Sequence, residues 1–196
     1  MSEGIGRLRA EVADAGRALA ASGLVVGYAG NVSARSGHLV AVTPTGARLG
    51  RLTPEEIAIV DLDGELVDAP FAPTSELALH LAVYRGVDAG AVVHTHPPMA
   101  TAVACVVDEL PCFHYSLLQL GGHIRVASYA RFGTADLADG VVDALDGRTA
   151  ALMRSHGAVT YGDGLQAALD ATELLEWACD VYVHARACGR PHELAE

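Results

Sequence analysis

Lysine is absent from this sequence. All 13 basic residues among its 196 residues are arginines, so no lysine amine is available to form a Schiff base. Covalent aldol catalysis and pyridoxal-phosphate catalysis both use a lysine amine as nucleophile, and both are therefore excluded. Any carbanion chemistry in this chain needs another electron sink, and a metal ion is the obvious one.

Basic residues and cysteines are scarce. The 24 acidic residues outnumber the arginines and give a formal net charge of −11, which repels nucleic acids and acidic membranes. We therefore expect no nucleic-acid partner. The four cysteines show no CxxC spacing and are too sparse for a disulfide scaffold, so reduced thiols are expected.

Long apolar runs are missing as well. No stretch approaches the roughly 20 apolar residues that span a bilayer, and no N-terminal segment has the form of a secretory signal. We therefore expect a cytoplasmic protein without a membrane partner. The hydrophobic content of 51% and the charged content of 19% are typical of a globular chain, which at this length forms one domain over residues 1–196.

Helical and strand-like patterns alternate along the chain. The apolar spacing predicts helices at 5–24, 75–86, 98–107, 134–145 and 164–187, and strands at about 38–42, 57–62, 91–95, 124–127 and 150–153. Thr53-Pro54-Glu55-Glu56 has the form of a capping box and predicts one short helical turn. Because the patterns interleave without a linker or a repeat, they predict one mixed α/β layered domain, although they do not fix the strand order.

Two histidines end one of the predicted strands. His94 and His96 follow the apolar run 91–93, and alternation along a strand sends both imidazoles to the same face. On this spacing alone, two ordinary strand histidines are the favoured interpretation. His156, which leaves the predicted strand 150–153 through a turn, is the best candidate for a third ligand. Three histidines suffice for a catalytic zinc site with one open position, provided that the two strand ends are neighbours.

A further histidine lies near an acidic residue on one predicted helix. His80 follows Glu76 by four residues, which puts both on the same helix face. An ordinary helical pair between the two side chains is the favoured interpretation. A contact that supports the metal ligands is the alternative.

Several different short motifs, most of them rich in polar and glycine residues, are spread along most of the chain. They are Gly30-Asn31-Val32-Ser33, Thr43-Pro44-Thr45-Gly46, Thr74-Ser75-Glu76, His94-Thr95-His96, Phe113-His114-Tyr115, Tyr129-Ala130-Arg131-Phe132-Gly133-Thr134 and Ser155-His156-Gly157. In this order, over about residues 5–187, they resemble the motif set of the class II aldolases of the fuculose-phosphate aldolase and adducin-head family. The resemblance implies a three-layer α/β/α fold around a mainly antiparallel sheet, and a homotetramer with active sites at subunit interfaces.

The resemblance also implies roles for single residues. His94, His96 and His156 would bind zinc, with another divalent metal as the alternative. Glu76 would be the general base, and Tyr115 would reach the site of an adjacent subunit as a proton donor. Burial beside the metal is expected to raise the pKa of Glu76 towards a useful range.

Small, hydroxyl and amide residues are grouped at predicted turns and at the start of a predicted helix. Backbone N–H groups at a helix N-terminus and short side-chain donors bind an anion without a lysine. Taken alone, such residues are more often turn and cap residues. With the resemblance, we predict that they bind the substrate phosphate. The residues are Gly30, Asn31, Thr45, Gly46, Thr74 and Ser75.

The reaction implied by the resemblance is reversible aldol cleavage of a short-chain ketose 1-phosphate, similar to L-fuculose 1-phosphate, to dihydroxyacetone phosphate and an aldehyde. Zinc would stabilise the enediolate in place of the iminium that a lysine supplies. Decarboxylation of a sugar-acid phosphate or dehydration of a sugar phosphate is the alternative within the family. An adducin-head-like interaction module without catalysis is a third hypothesis, against which the histidines and Glu76 argue.

Two differences from the fuculose-phosphate enzymes concern specificity. Thr74 stands where serine is usual, which adds a methyl group near the predicted phosphate site. The sequence also ends at Glu196, without the tail tyrosine that helps to cover the site in those enzymes. Both differences are expected to bear on which aldehyde is accepted.

Overall fold

Helices and strands alternate through residues 2–194, the part of the chain that the computed structural model describes. The helices are α1 (Ser2–Ala21), α2 (Leu77–Gly86), α3 (Pro98–Val106), α4 (Ala135–Ala144) and α5 (Leu165–Cys188). The strands are β1 (Asn31–Ser36), β2 (Leu39–Val42), β3 (Ala58–Asp61), β4 (Leu66–Asp68), β5 (Ala91–Thr95), β6 (Glu109–Leu110), β7 (Ile124–Ala127), β8 (Ala150–Met153) and β9 (Gly157–Gly162). Residues 1, 195 and 196 of the predicted domain lie outside the described residues.

The strands form one sheet in the order β4-β3-β2-β1-β5-β9-β8-β7-β6. Neighbouring strands are antiparallel, except that β7 and β8 are parallel. The prediction of a mainly antiparallel sheet is therefore confirmed.

Helices cover both faces of this sheet. On one face, apolar residues of α1, α3 and α5 pack against the strands, among them Val12, Val103 and Leu175. On the other face, α2 and α4 pack through residues such as Leu79 and Val141. The predicted three-layer α/β/α arrangement is therefore confirmed. Within residues 2–194, no helix combines the length and the apolar character needed to cross a membrane.

The predicted helices and strands are all present, but four strands were not predicted. Two of them, β4 and β6, have only three and two residues, too few to show a period. The first four residues of β1 are buried although two of them are Asn31 and Ser33. The other unpredicted strand, β9, is bounded by Gly157 and Gly162 and is buried on both faces, so it lacks the alternation of a half-exposed strand.

The centre of the sheet depends on a close approach between β5 and β9. Thr95 lies opposite Ala158 in this pair. A Cβ atom on Gly157 would lie 2.3 Å from the carbonyl oxygen of Thr95 and 2.7 Å from the ring of His96. Glycine at this position therefore lets the two strands meet.

We expect the substitution Gly157→Ala to lower the free energy of unfolding by about 1–3 kcal/mol, because the added methyl group has to displace one of two central strands. Gly140→Ala is a matched control in α4, where an added Cβ meets nothing within 4 Å. It is expected to stabilise the protein by up to about 1 kcal/mol. Urea denaturation measures both values, and equal effects of the two substitutions would contradict the packing described.

Candidate active site

Three histidines meet where β5 ends and β9 begins. His94 lies near the end of β5, His96 follows that strand, and His156 immediately precedes β9. The Nε2 atoms of His94 and His96 are 2.8 Å apart, and the possible ligand atoms of all three lie within 4.8 Å of one another. The structure thus brings the three predicted ligands together, while their binding of a metal stays a prediction.

The turn from β8 into β9 carries His156 into the site. The three-histidine prediction depended on the end of the strand 150–153 lying near the first two histidines, which the sequence left open. In the structure, β9 lies between β5 and β8, so His156 reaches the end of β5 through the turn that precedes β9. This strand is buried on both faces and was not predicted.

This turn contains a residue in an unusual conformation. Ser155 has φ of 53°, and no other non-glycine residue within 2–194 has a positive φ. The left-handed region costs a residue with a side chain about 1–2 kcal/mol. The pairing of β9 with both β5 and β8 holds the turn in place, so the local strain is tolerated where it directs His156 inward.

The histidine rings direct nitrogens towards a common point. Nδ1 of His94 lies 2.9 Å from the carbonyl oxygen of Ala158 and donates its hydrogen there, so Nε2 is the nitrogen that can bind a metal ion once it loses the hydrogen it shares with Glu76. Burial, reinforced by the charge of neighbouring His94, lowers the pKa of His96 to about 4 and also lowers that of His156. Neutral imidazoles are the form that binds a metal ion.

The distances in this cluster fit one ion. Three nitrogens bound to zinc at 2.0–2.1 Å lie roughly 3.3 Å apart, which falls between the 2.8 Å separation of the closest pair and the 4.8 Å limit for the cluster. In addition, Oε1 of Glu76 is buried and has no hydrogen-bond partner among residues 2–194. The donor set therefore suits a divalent metal with a preference for imidazole, such as zinc.

Glu76 occupies the N-cap position of α2 and extends into the histidine cluster. Its Oε2 lies 3.0 Å from Nε2 of His94 and accepts a hydrogen bond of 3.1 Å from the amide of Asn31. Its Oε1 lies 3.6 Å from Nε2 of His156.

The predicted rise in the pKa of Glu76 is wrong. Burial does raise it, but the hydrogen bond and charge of His94, together with the Asn31 hydrogen bond, lower it further, to about 2. A positive charge beside the carboxylate thus outweighs desolvation, and a metal ion bound at the histidines would act in the same direction. Glu76 is therefore ionised and is able to accept a proton.

His80 does not form the expected side-chain pair with Glu76. Its ring contacts the side chains of Asn31 and Ser33 instead. Glu76 precedes the first turn of α2, with φ of −104° and ψ of 23°, so its side chain is not on the helical stripe that carries His80. The favoured interpretation of an ordinary helical pair was wrong, because His80 reaches the site through Asn31.

A cavity of about 330 Å³ opens beside Glu76, His96 and His156. Its wall contains all six predicted phosphate-binding residues, namely Gly30, Asn31, Thr45, Gly46, Thr74 and Ser75. Tyr28 and Phe132 also line it, and sequence reasoning missed both. Phe132 belongs to the motif 129–134, which is the signal that could have identified it.

Two backbone hydrogen bonds join the loops that carry the hydroxyl residues. The N–H of Thr45 donates to the oxygen of Ala72, and the N–H of Thr74 donates to the oxygen of Thr43, both at 3.0 Å. Oγ1 of Thr74 accepts from the N–H of Glu76 at 3.2 Å, and a hydroxyl group that accepts still has a hydrogen to donate. The loops therefore form one wall that can bind an anion.

Tyr115 lies outside this cavity. It begins a 3₁₀ helix (Tyr115–Leu120) and is 69% exposed. Its ring packs on that of His114, with 4.6 Å between the centroids. Its predicted role in the site of an adjacent subunit stays a prediction.

The fold corresponds to that of known aldolases. Residues 10–183 match the family described as Class II Aldolase and Adducin N-terminal domain, and the chain belongs to this family. It is therefore an enzyme of the class II aldolase type, a carbon–carbon lyase, as predicted.

Two curated relatives and one solved structure are similar over most of their length. The chain is 35% identical over 191 residues to 5-deoxy-D-ribulose 1-phosphate aldolase of Bacillus thuringiensis serovar kurstaki, covering 96% of this chain and 90% of that protein. It is 39% identical over 180 residues to 5-methylthioribulose-1-phosphate/5-deoxyribulose-1-phosphate aldolase of Rhodospirillum rubrum, covering 88% and 81%. A solved L-fuculose 1-phosphate aldolase matches with a TM-score of 0.94 and 32% identity, covering 97% of this chain and 91% of that one.

We expect His156→Ala to weaken zinc binding by at least about 100-fold, because a site with three ligands loses one of them. Equilibrium dialysis with elemental analysis measures this affinity. His38→Ala, in the exposed turn between β1 and β2, is the control and should bind zinc as the wild type does. Equal affinity in the wild type and the His156 variant would show that the histidines do not form the metal site.

Proposed function

We propose that this protein is a zinc-dependent aldolase that cleaves a short-chain ketose 1-phosphate to dihydroxyacetone phosphate and an aldehyde. The observation that carries the proposal is the meeting of three histidines with a buried carboxylate beside a cavity lined by anion-binding groups. The lysine-free composition supports it, because it removes the Schiff-base route to the same reaction.

The phosphate end of the substrate would lie against the loops at Thr45-Gly46 and Thr74-Ser75. The hydroxyl groups there and the backbone N–H groups of Gly46 and Ser75 can donate to phosphate oxygens without a counter-charge. Binding of this end would hold the reacting carbon atoms near Glu76 and the histidines, so that the bond to be broken is oriented before the reaction begins.

When bound, the zinc ion supplies a Lewis acid for the negative charge that develops on the substrate oxygens as the carbon–carbon bond breaks. Glu76 moves the proton at the carbon atom beside the carbonyl. In the direction of condensation, its carboxylate accepts that proton, and in the direction of cleavage it returns it. The negative charge that forms next to Glu76 raises the proton affinity of the carboxylate during the step.

The aldehyde end of the substrate is where the relatives differ. They are named for 5-deoxyribulose 1-phosphate, 5-methylthioribulose 1-phosphate and L-fuculose 1-phosphate, which share the ketose 1-phosphate end. Phe132 lines the cavity and offers an apolar surface to that end. We therefore propose the ketose 1-phosphate class and test two of these sugars.

The zinc-loaded protein is expected to release dihydroxyacetone phosphate from L-fuculose 1-phosphate or 5-deoxyribulose 1-phosphate in a coupled assay. Glu76→Gln should lower kcat by about 10²- to 10⁴-fold, the usual contribution of a general base. The zinc content of this variant is measured alongside, so that loss of metal is separated from loss of the base. Carbon dioxide release from a sugar-acid phosphate, with no triose product, would replace the aldolase proposal by decarboxylation.

We further propose a homotetramer in which the sites are shared between subunits. Tyr115, Tyr129, Phe132 and Trp177 expose large aromatic surfaces in the single chain, which is typical of surfaces that bind another protein. Tyr115 would then donate a proton to the aldehyde oxygen in the site of an adjacent subunit.

Mixing two inactive variants tests this sharing. We expect Tyr115→Phe and Glu76→Gln to have low activity separately. Random mixed oligomers should recover about a quarter of wild-type activity, because half of the sites keep Glu76 and half of those receive an intact Tyr115. The activity of co-expressed and co-purified variants, relative to that of the wild type, measures this fraction. Activity no higher than the mean of the two variants would place Tyr115 in its own subunit's site or outside catalysis.

A further inference from the structure

A chain of buried hydrogen bonds runs between α2 and β1 to Glu76. The OH of Tyr84 lies 2.7 Å from Oγ of Ser33, which lies 2.7 Å from Nδ1 of His80. Nε2 of His80 contacts Oδ1 of Asn31, and the amide nitrogen of Asn31 donates to Glu76. All five side chains belong to buried residues. Glu76 is the proposed base, so these hydrogen bonds connect the protein interior to the site.

The packing of α2 against β1 explains why these residues meet. Asn31 and Ser33 are two apart on a strand and therefore lie on one face, about 6.6 Å from each other along the strand. His80 and Tyr84 are four apart on a helix and lie on one face, about 6 Å from each other along the axis. The two spacings match, so Asn31 lies against His80, and Ser33 lies between His80 and Tyr84.

Donors and acceptors can be assigned along this chain of hydrogen bonds. The amide nitrogen of Asn31 donates to Glu76, so its oxygen faces His80. That oxygen only accepts, and Nε2 of His80 must therefore carry a hydrogen. His80 is fully buried, and burial lowers its pKa to about 3, so the ring is neutral. Nδ1 then accepts from Ser33, whose oxygen accepts from Tyr84.

His80 thereby selects one of two orientations of the Asn31 amide. Asn31 is the sole asparagine in the sequence, and its amide oxygen and nitrogen have nearly the same shape. The flipped orientation would direct the amide oxygen towards a carboxylate oxygen 3.1 Å away, where two acceptors repel each other. The hydrogen on Nε2 of His80 stabilises the orientation that donates to Glu76.

We propose that His80 is a positioning residue of this site, which holds the Asn31 amide so that it donates to Glu76 and keeps that carboxylate oriented for proton transfer. The inference rests on the proposed role of Glu76 as the base. His80 does not line the cavity, and it acts only through Asn31.

Two substitutions of His80 separate this role from simple packing. The amide nitrogen of glutamine reaches the position of Nε2, whereas that of asparagine reaches only the position of Nδ1. His80→Gln is therefore expected to keep kcat within about 3-fold of the wild type. His80→Asn should lower kcat by about 10- to 100-fold, because Asn31 then loses its hydrogen bond to the charged Glu76, with KM changed by less than about 3-fold. His184→Asn, on the exposed side of α5, is the control without effect.

The tautomer of His80 is measured independently by ¹⁵N-detected NMR of the zinc-loaded wild type. We expect a hydrogen on Nε2 and none on Nδ1, with the signals assigned by their loss in His80→Gln. A hydrogen on Nδ1 would overturn the proposal, and so would equal losses of kcat in the two variants. If the wild type cleaves no ketose phosphate, the proposed function fails. The NMR result still decides whether Nε2 of His80 donates to Asn31.

Discussion

The register of β5 between β1 and β9 is the constraint on which the site depends. It sets Asn31 opposite His94 on one side and Thr95 opposite Ala158 on the other, which brings the turn at His156 to the same end of the sheet. A slip of one residue would turn His94 to the face covered by α1 and α5. The histidine cluster is therefore a product of strand pairing, and glycine at position 157 permits that pairing.

Charge balance is a second constraint. The sequence has a net charge of −11 and no lysine, and among residues 2–194 no arginine lines the cavity beside Glu76. The proposed anionic substrate would therefore be bound by backbone donors, hydroxyl groups and a bound cation. The same cation would compensate Glu76, a buried carboxylate that would otherwise be costly. The proposed base, metal site and phosphate wall thus lie in one region, where each would reduce the electrostatic cost of another.

Local pattern was sufficient for much of this architecture, and non-local contacts explain the rest. Helical spacing and apolar runs predicted all five helices and the strands on which His94 and the approach to His156 depend. The strand β1 was missed because Asn31 and Ser33 look like loop residues until the partners supplied by α2 are known. The predictions for the pKa of Glu76 and for the contact of His80 were wrong for the same reason. Both properties are set by residues more than 15 positions away, His94 and Asn31 respectively.

X-ray absorption spectroscopy of the zinc-loaded protein shows whether these three histidines bind the metal, because it counts and identifies the atoms that surround the ion. We expect three imidazole nitrogens at about 2.0–2.1 Å and no sulfur neighbour. Fewer than three imidazoles, or a sulfur atom at about 2.3 Å, would mean that the register of β5 and β9 does not build the metal site.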